Sequence, residues 1–363
     1  MIYYLSRDYK SNRINDAGSK ARLDVEQVMD QLGFSPAGKR HSITKNRLFH
    51  FVRTIAIVVR MLLYVNKGDV LILQYPTKYY SIICRLAHMR GANVITLLHD
   101  LICFRNKHSS PQEEICQLNK SDAIIGHNPA FCKWLCDNGF VGYNGKKIIE
   151  PLRIFDFLSS SQSPDRKKTW PLHKVVYAGQ LARRKNNFLY ELGTYVEGYT
   201  LNVYGKGFDK SSTECPEKFE IKGFMLPDKL IESAEGDFGL VWDGDSVDSC
   251  SGDWGEYLKV NTPHKISLYI RCGLPVIVWR EAAMAGFIEE NGVGICIDSL
   301  RDIKKIYECL TRDEYEQMCD NVRRVSGLMS EGGYFSRAIS KVVSRVTCLL
   351  YTSPSPRDKR QSR

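Results

Sequence analysis

The chain has 363 residues, 43% of them hydrophobic and 25% charged, with 51 Lys+Arg against 41 Asp+Glu. That length carries apolar material for two cores, and the composition excludes a disordered chain, a collagen-like fibre and a multi-span membrane protein. The net charge of +10 equals that of residues 1–107 alone, which hold 17 basic and 7 acidic side chains, so a one-sided basic first domain suits phosphate-bearing substrates or an anionic membrane surface.

MIYYLS opens as a short strand, and Arg7 to Ser19 follow as a polar loop containing Asn15, Asp16 and Gly18. Ala21, Val25, Val28, Met29 and Leu32 then recur at helical spacing until Gly33. MIYYLSRDYKSN lacks an uninterrupted apolar core, which predicts no signal peptide. LFHFVRTIAIVVRMLLYV (48–65) is the most apolar segment, but His50, Arg53 and Arg60 interrupt it. A buried helix, or one lying in a membrane interface, fits it better than a spanning helix. GDVLILQYP, ANVITLLHD and SDAIIGHNP read as strands, with helices in YYSIICRLAHMRG and PAFCKWLCDNG. Continuous apolar strands alternating with helices predict a parallel sheet covered on both faces.

Residues 159–171, SSSQSPDRKKTWP, read as a linker. The rhythm then restarts with KVVYAG, a helix from about Asn187, LNVYG, IKGF, the helix DKLIESA, FGLVWDGDS, the helix SLYIRCG, LPVIVW and GVGICID. The expectation is an α/β chain of two Rossmann-like domains, 1–160 and 172–330, followed by a helix over 331–347 that crosses back to the first domain. Cys348 to Asp358 read CLLYTSPSPRD, an in-frame translation of a transposon sequencing adapter, so residues 348–363 are expected to be a disordered adapter scar. The 12 cysteines show no C-x-x-C and no paired framework, which predicts free thiols in a reducing compartment.

In an open parallel sheet, ligands bind beyond the carboxyl ends of the strands. The first domain offers there Asn15, Asp16 and Gly18, then His99 with Asp100, then His127 with Asn128. The second offers Gly179 with Arg183 and Lys185, Asp243 with Asp245, and the run Tyr257, Asn261, His264 and Lys265. No P-loop, G-x-S-x-G or H-E-x-x-H motif occurs. In YAGQLARRKN a strand stops at Gly179, where the chain can turn tightly, and Arg183 and Lys185 bring charge to a helix start. Pro263, as an early helix residue, places His264 and Lys265 in a first turn, where a lysine needs an anionic partner. Two basic helix starts in one domain predict a phosphate-rich ligand. Asp243-x-Asp245 fits either a divalent cation held against a diphosphate or an Asx-rich turn.

The block FGLVWDGDSVDSCSGDWGEYLKVNTPHKISLYIRCGLPVIVW resembles that of the bacterial β-1,6-galactofuranosyltransferases of O-antigen assembly. That GT-B family also includes glucosyltransferases that extend GlcNAc on serine-rich adhesins. NDAGSKAR, DVLILQYP, LLHD, GHNP, YAGQLARRK and GYFSRAI extend the resemblance over nearly the whole chain. It implies two Rossmann-like domains facing across a cleft, and a hexosyltransferase that takes a UDP-sugar and needs no metal or cofactor. By matching motif it assigns Arg183 and Lys265 to the donor diphosphate and Tyr257, Asn261 and His264 to the same donor loop. Gly18, with Asn15 and Asp16, falls in the first-domain loop that faces the donor. The two glutamates before G-x-P-V of the common retaining pattern are absent, the matching helix carrying Lys265 and Leu268, which favours inversion.

An inverting transfer needs a base on the acceptor side to take the hydroxyl proton. Asp100 and His99 are the catalytic candidates, with His127 and Asn128 as further acceptor-side residues. The leading expectation is galactofuranose transfer from UDP-galactofuranose in O-antigen or exopolysaccharide synthesis. A UDP-glucose-dependent enzyme extending a protein-linked glycan, and a non-catalytic nucleotide-sugar-binding partner subunit, stand beside it. Expected partners are the nucleotide sugar and a glycan acceptor that a lipid diphosphate could carry. A cytoplasmic homo-oligomer in peripheral contact with the inner membrane face is expected, with no nucleic acid.

Overall fold

The computed structural model describes residues 1–6, 17–37, 47–105, 109–164 and 170–352. Asn15, Asp16 and residues 353–363 of the adapter-like tail lie outside them, whereas residues 348–352, expected to be disordered, continue the last helix. The chain divides into two compact units, Met1–Leu152 with the C-terminal segment from Tyr334, and Arg153–Gly333.

The first unit runs β1 (Ile2–Tyr4), α1 (Ala17–Gln31), β2 (Ser35–Pro36), α2 (Arg47–Tyr64), β3 (Val70–Tyr75), α3 (Tyr80–Met89), β4 (Asn93–Leu98), α4 (Ile102–Arg105), α5 (Pro111–Leu118), β5 (Ala123–Gly126), α6 (Pro129–Asp137) and β6 (Ile148–Pro151). Its six strands lie in the order β2-β1-β3-β4-β5-β6, every neighbouring pair parallel. Every residue of β3, β4 and β5 is buried, as their uninterrupted apolar runs require of a sheet covered on both faces. Leu71, Leu73, Val94, Leu98, Phe131 and Leu135 belong to one core cluster.

The second unit runs β7 (Lys174–Gln180), α7 (Phe188–Leu192), β8 (Thr200–Lys206), β9 (Phe219–Gly223), α8 (Pro227–Ser233), β10 (Phe238–Val241), α9 (Gly252–Leu258), α10 (His264–Arg271), β11 (Val276–Trp279), α11 (Ala285–Asn291), β12 (Gly294–Ile297), α12 (Ile303–Cys309) and α13 (Arg312–Ser330). Its parallel sheet has the order β12-β11-β10-β7-β8-β9. Sequence reading passed over α13, although Thr311 and Glu314 form a capping box at its start. α14 (Gly333–Thr352) closes the described chain, and Lys341 and Arg345 on it grip the buried Glu150 carboxylate of the first unit at 3.0 and 3.1 Å.

Two features hold α10 in place. Gly239 of β10 lies under the Tyr269 ring, where a Cβ would come within 2.3 Å of it, and the Tyr269 hydroxyl accepts a hydrogen bond from the Ala178 amide at 2.7 Å. On the other side, Ser267 donates to the Phe155 carbonyl at 2.7 Å, and the Arg271 guanidinium donates to the Ser159 and Ser161 carbonyls at 3.0 Å each. Part of the stretch read as a linker is thus fastened to this helix. Gly239→Ala is expected to lower stability by about 1–3 kcal/mol through overpacking. Urea unfolding of the full chain checks it, an unchanged midpoint being the contrary result.

Candidate active site

In the second sheet the chain leaves β7 in one direction toward β8 and β9, then returns to lay β10 on the other side of β7. The carboxyl ends of β7 and β10 therefore form a topological switch point, where loops diverge and leave room for a ligand. β7 reaches it at Gly179, whose φ of +143° suits glycine. Beyond it, Asn186 donates through Nδ2 to the Gln180 carbonyl at 2.8 Å, and the Gly244 amide donates to the Lys185 carbonyl at 2.8 Å. Gly244 has φ +118°, and a Cβ there would stand 2.4 Å from the Ser251 carbonyl oxygen. Glycine at 244 lets the loop after β10 fold back on itself against Ser251, and the Gly244–Lys185 hydrogen bond ties that loop to the one after β7, with Lys185 beside Asp243.

Asp243 is buried and is shared by two lysines. Lys265 donates to Oδ1 at 2.9 Å, and the Lys185 ammonium lies 3.2 Å from Oδ2. The Tyr177 hydroxyl, 2.6 Å from Asn186 Oδ1 and 2.8 Å from the Trp242 carbonyl, accepts from Lys265 Nζ at 3.2 Å. Aromatic faces complete the surroundings, with Tyr177 4.5 Å from the Lys265 ammonium and Trp254 4.9 Å from that of Lys185. Burial pushes the Asp243 carboxyl upward, but the Lys265 and Lys185 ammoniums outweigh it and hold the group below the ordinary carboxylate value. Burial depresses the Lys265 ammonium, Asp243 opposes that, and Lys185 adds to it. Two cations around one carboxylate leave an excess of one positive charge at the switch point.

The lysine expected in a helix first turn thus has its anionic partner within the chain. Both Asp243 oxygens are engaged by lysines and Asp245 is exposed, so the D-x-D spacing does not put two carboxylates on one site. Arg183 stands apart from the cluster: it is exposed, donates to Asn187 Oδ1 at 3.1 Å and lies over the Tyr190 ring. Tyr257 is buried in α9, and the His264 ring packs 4.5 Å from that of Phe155. Asn261 Oδ1 is a buried acceptor without a hydrogen-bond partner among the described residues. Tyr177, Asn186 and Trp254 escaped the sequence reading; a tyrosine in a buried strand reads as core.

The first unit has its own switch point between β1 and β3. Ser6, just past β1, donates to Glu26 Oε2 at 2.8 Å, and Glu26 Oε1 accepts from Gln74 Nε2 at 3.3 Å. With the Gln74 amide so oriented, its Oε1 accepts a hydrogen bond from His99 Nε2–H at 2.6 Å. His99 and Asp100 are both half-buried past β4. The Arg22 guanidinium donates to the Gln74 and Pro76 carbonyls at 3.3 and 3.4 Å. Gly18 sits in the first turn of α1. His127 stacks on Phe131 at 4.2 Å between centroids, and Asn128 Oδ1 accepts from the Phe131 amide at 2.9 Å, so its amide caps α6. Glu26 and Gln74 were also missed; the signal was a glutamate amid the apolar face of a helix.

The second half of the chain, residues 175–342, matches the model of the glucosyltransferase 3-like C-terminal domain, and residues 2–149 match that of the glucosyltransferase 3-like N-terminal domain. The β-1,6-galactofuranosyltransferase WbbI of Escherichia coli K12 is 30% identical over 94% of this chain and 98% of its own. Glucosyltransferase 3 of Streptococcus gordonii is 27% identical over 88% of this chain and 91% of its own. Among solved structures, an α,α-trehalose-phosphate synthase (UDP-forming) from Burkholderia vietnamiensis superposes with a TM-score of 0.59 at 8% identity, covering 94% of this chain and 98% of that one. This last likeness speaks for the fold alone.

Proposed function

The chain belongs to the glucosyltransferase 3-like family, a glycosyltransferase of two-domain α/β GT-B fold, and on that premise we propose that it transfers galactofuranose from UDP-galactofuranose, with inversion, onto a glycan acceptor of cell-surface polysaccharide synthesis. The observation that carries the reading is the excess positive charge of Lys185 and Lys265 around Asp243 at a strand-end switch point. A departing UDP gains negative charge as the glycosidic bond breaks, and fixed cations there stabilise the transition state more than the ground state. The lysines thereby supply the charge that a divalent cation supplies in other sugar transfer, and we propose that no metal is required. Asn261 Oδ1, a buried acceptor, suits a hydroxyl of the bound donor.

In the proposed step the acceptor oxygen attacks the anomeric carbon, the bond to the diphosphate oxygen breaks, and Asp100 takes the hydroxyl proton. His99, fixed through Gln74 to Glu26, orients the strand end that carries Asp100. Asp100→Asn is expected to lower kcat by about 100- to 10,000-fold with the donor KM nearly unchanged. An unchanged kcat rejects Asp100 as the base. The similarity to glucosyltransferase 3 favours a second reading, UDP-glucose as donor and a protein-linked glycan as acceptor. A screen of UDP release from UDP-galactofuranose, UDP-galactopyranose and UDP-glucose, with and without EDTA, separates the two. Turnover of UDP-galactofuranose undiminished by EDTA is the expected result; preference for UDP-glucose selects the second reading, and loss in EDTA contradicts metal independence.

A further inference from the structure

α2 and α3 pack side by side on the first unit, and each carries an outward apolar stripe. At about 100° per residue, Val52, Ile55, Val59 and Leu63 fall on one side of α2, roughly opposite the buried Met61. All four are exposed, Leu63 to 71%. On α3, Ile82 and Met89 lie seven residues apart on one face, opposite the buried Ile83 and Ala87, and Met89 is 75% exposed. An ordinary surface helix puts polar residues there; a helix apolar toward both core and solvent has a second surface to cover.

The charge around the stripes indicates what covers them. Residues 47–91 hold seven Lys and Arg and a single acidic residue, Asp69. Asp69 is occupied by the chain's own N-terminal ammonium at 2.5 Å and the Asn66 amide at 2.8 Å. Lys67, Lys78, Arg85 and Arg90 are exposed, and among the described residues none of the four pairs with a carboxylate. Beside Met89 a depression is lined by Arg85, Lys120 and Tyr143, cations flanking an apolar side chain. A two-fold contact between copies of the chain through this face would set the same basic segment against itself. An anionic bilayer instead offers hydrocarbon to the stripes and phosphates to the cations. Among the described residues no helix is long and apolar enough to cross a membrane, which fits a helix lying in the interface plane.

We infer that the α2–α3 face docks peripherally on an anionic lipid surface, with the apolar stripes in the headgroup region and the surrounding cations on lipid phosphates. The inference stands on this face alone and is independent of the donor. Co-sedimentation of the full chain with vesicles of phosphatidylcholine mixed with phosphatidylglycerol, and with pure phosphatidylcholine vesicles, tests it. The chain is expected to pellet with the mixed vesicles and much less with the neutral ones, and to be released as salt rises. Leu63→Asp, or Ile82→Asp should the first fail to fold, is expected to weaken the partition by on the order of tenfold or more at an unchanged melting temperature. Failure of the wild-type chain to pellet, or equal pelleting of a folded variant, overturns the inference. So does an oligomer in sedimentation velocity that Leu63→Asp dissociates, since the covering surface is then a second copy.

Discussion

Lys265→Met is expected to lower kcat/KM by about 100- to 1000-fold, the usual effect of removing one donor aimed at developing charge. Lys265 sits in the first turn of α10, and its ammonium is fixed by Asp243 at 2.9 Å and the Tyr177 hydroxyl at 3.2 Å. A charge held in this way needs little reorganisation when the diphosphate leaves. The variant keeps Asp243 paired to Lys185, so its stability cost should fall short of the roughly 3–5 kcal/mol for a buried pair broken outright. Lys265→Arg should not restore activity, because the Tyr177 ring 4.5 Å from Nζ leaves little room for a planar guanidinium. Steady-state kinetics with a thermal melt on the same samples check the pair of expectations. Near wild-type kcat/KM in a folded Lys265→Met variant contradicts them.

Asp243→Asn acts on the opposite member and should be the most destabilising single change at the site. It leaves Lys265 and Lys185 facing each other without the carboxylate, a loss of about 3–5 kcal/mol. The pH dependence identifies the cause. The Asp243 carboxyl is held below its ordinary value, so its contribution in the wild-type chain is full above the unfolded carboxylate range and is lost as pH falls through the depressed native value. The variant lacks that acid-side loss at this position. Its remaining defect is a buried ammonium whose native pKa lies below the unfolded one, so the deficit should shrink as pH rises toward the lysine range. The double variant Asp243→Asn/Lys265→Met removes the unpaired charge and should recover part of the loss, a coupling that denaturant unfolding reads directly. Strict additivity of the two substitutions would show that the lysine and the carboxylate do not act on each other.

The strands were legible because a parallel sheet buried on both faces writes them as apolar runs. LPVIVW became β11 and ANVITLLHD became β4, and in each the strand stops where the run meets polar residues. The glycines that shape the site were partly legible too: Gly179 stood out at a strand end, whereas Gly239 looked like one more small residue in a strand. Its purpose depends on Tyr269, which only the packing of α10 brings over it. The same holds for chemistry. The sequence singled out Lys265 as a cation in need of an anion and Asp243 as a strand-end acid. That each serves the other follows from β10 lying against β7, a matter of strand order that no local pattern carries. Glu26 and Gln74 stayed hidden for a related reason: a polar residue on an apolar element reads as its wet side until a tertiary partner, here Ser6 or His99, is placed beside it.

If Lys265, anchored on Asp243, recognises a nucleoside diphosphate, a calorimetric titration of UDP and of uridine into the wild-type chain and Lys265→Met will show it. UDP affinity should fall by about ten- to a hundredfold in the variant, the worth of one charge-assisted hydrogen bond, while uridine affinity stays the same. Equal UDP affinity in the two proteins, or an equal loss for UDP and uridine, would mean that Lys265 does not bind the diphosphate.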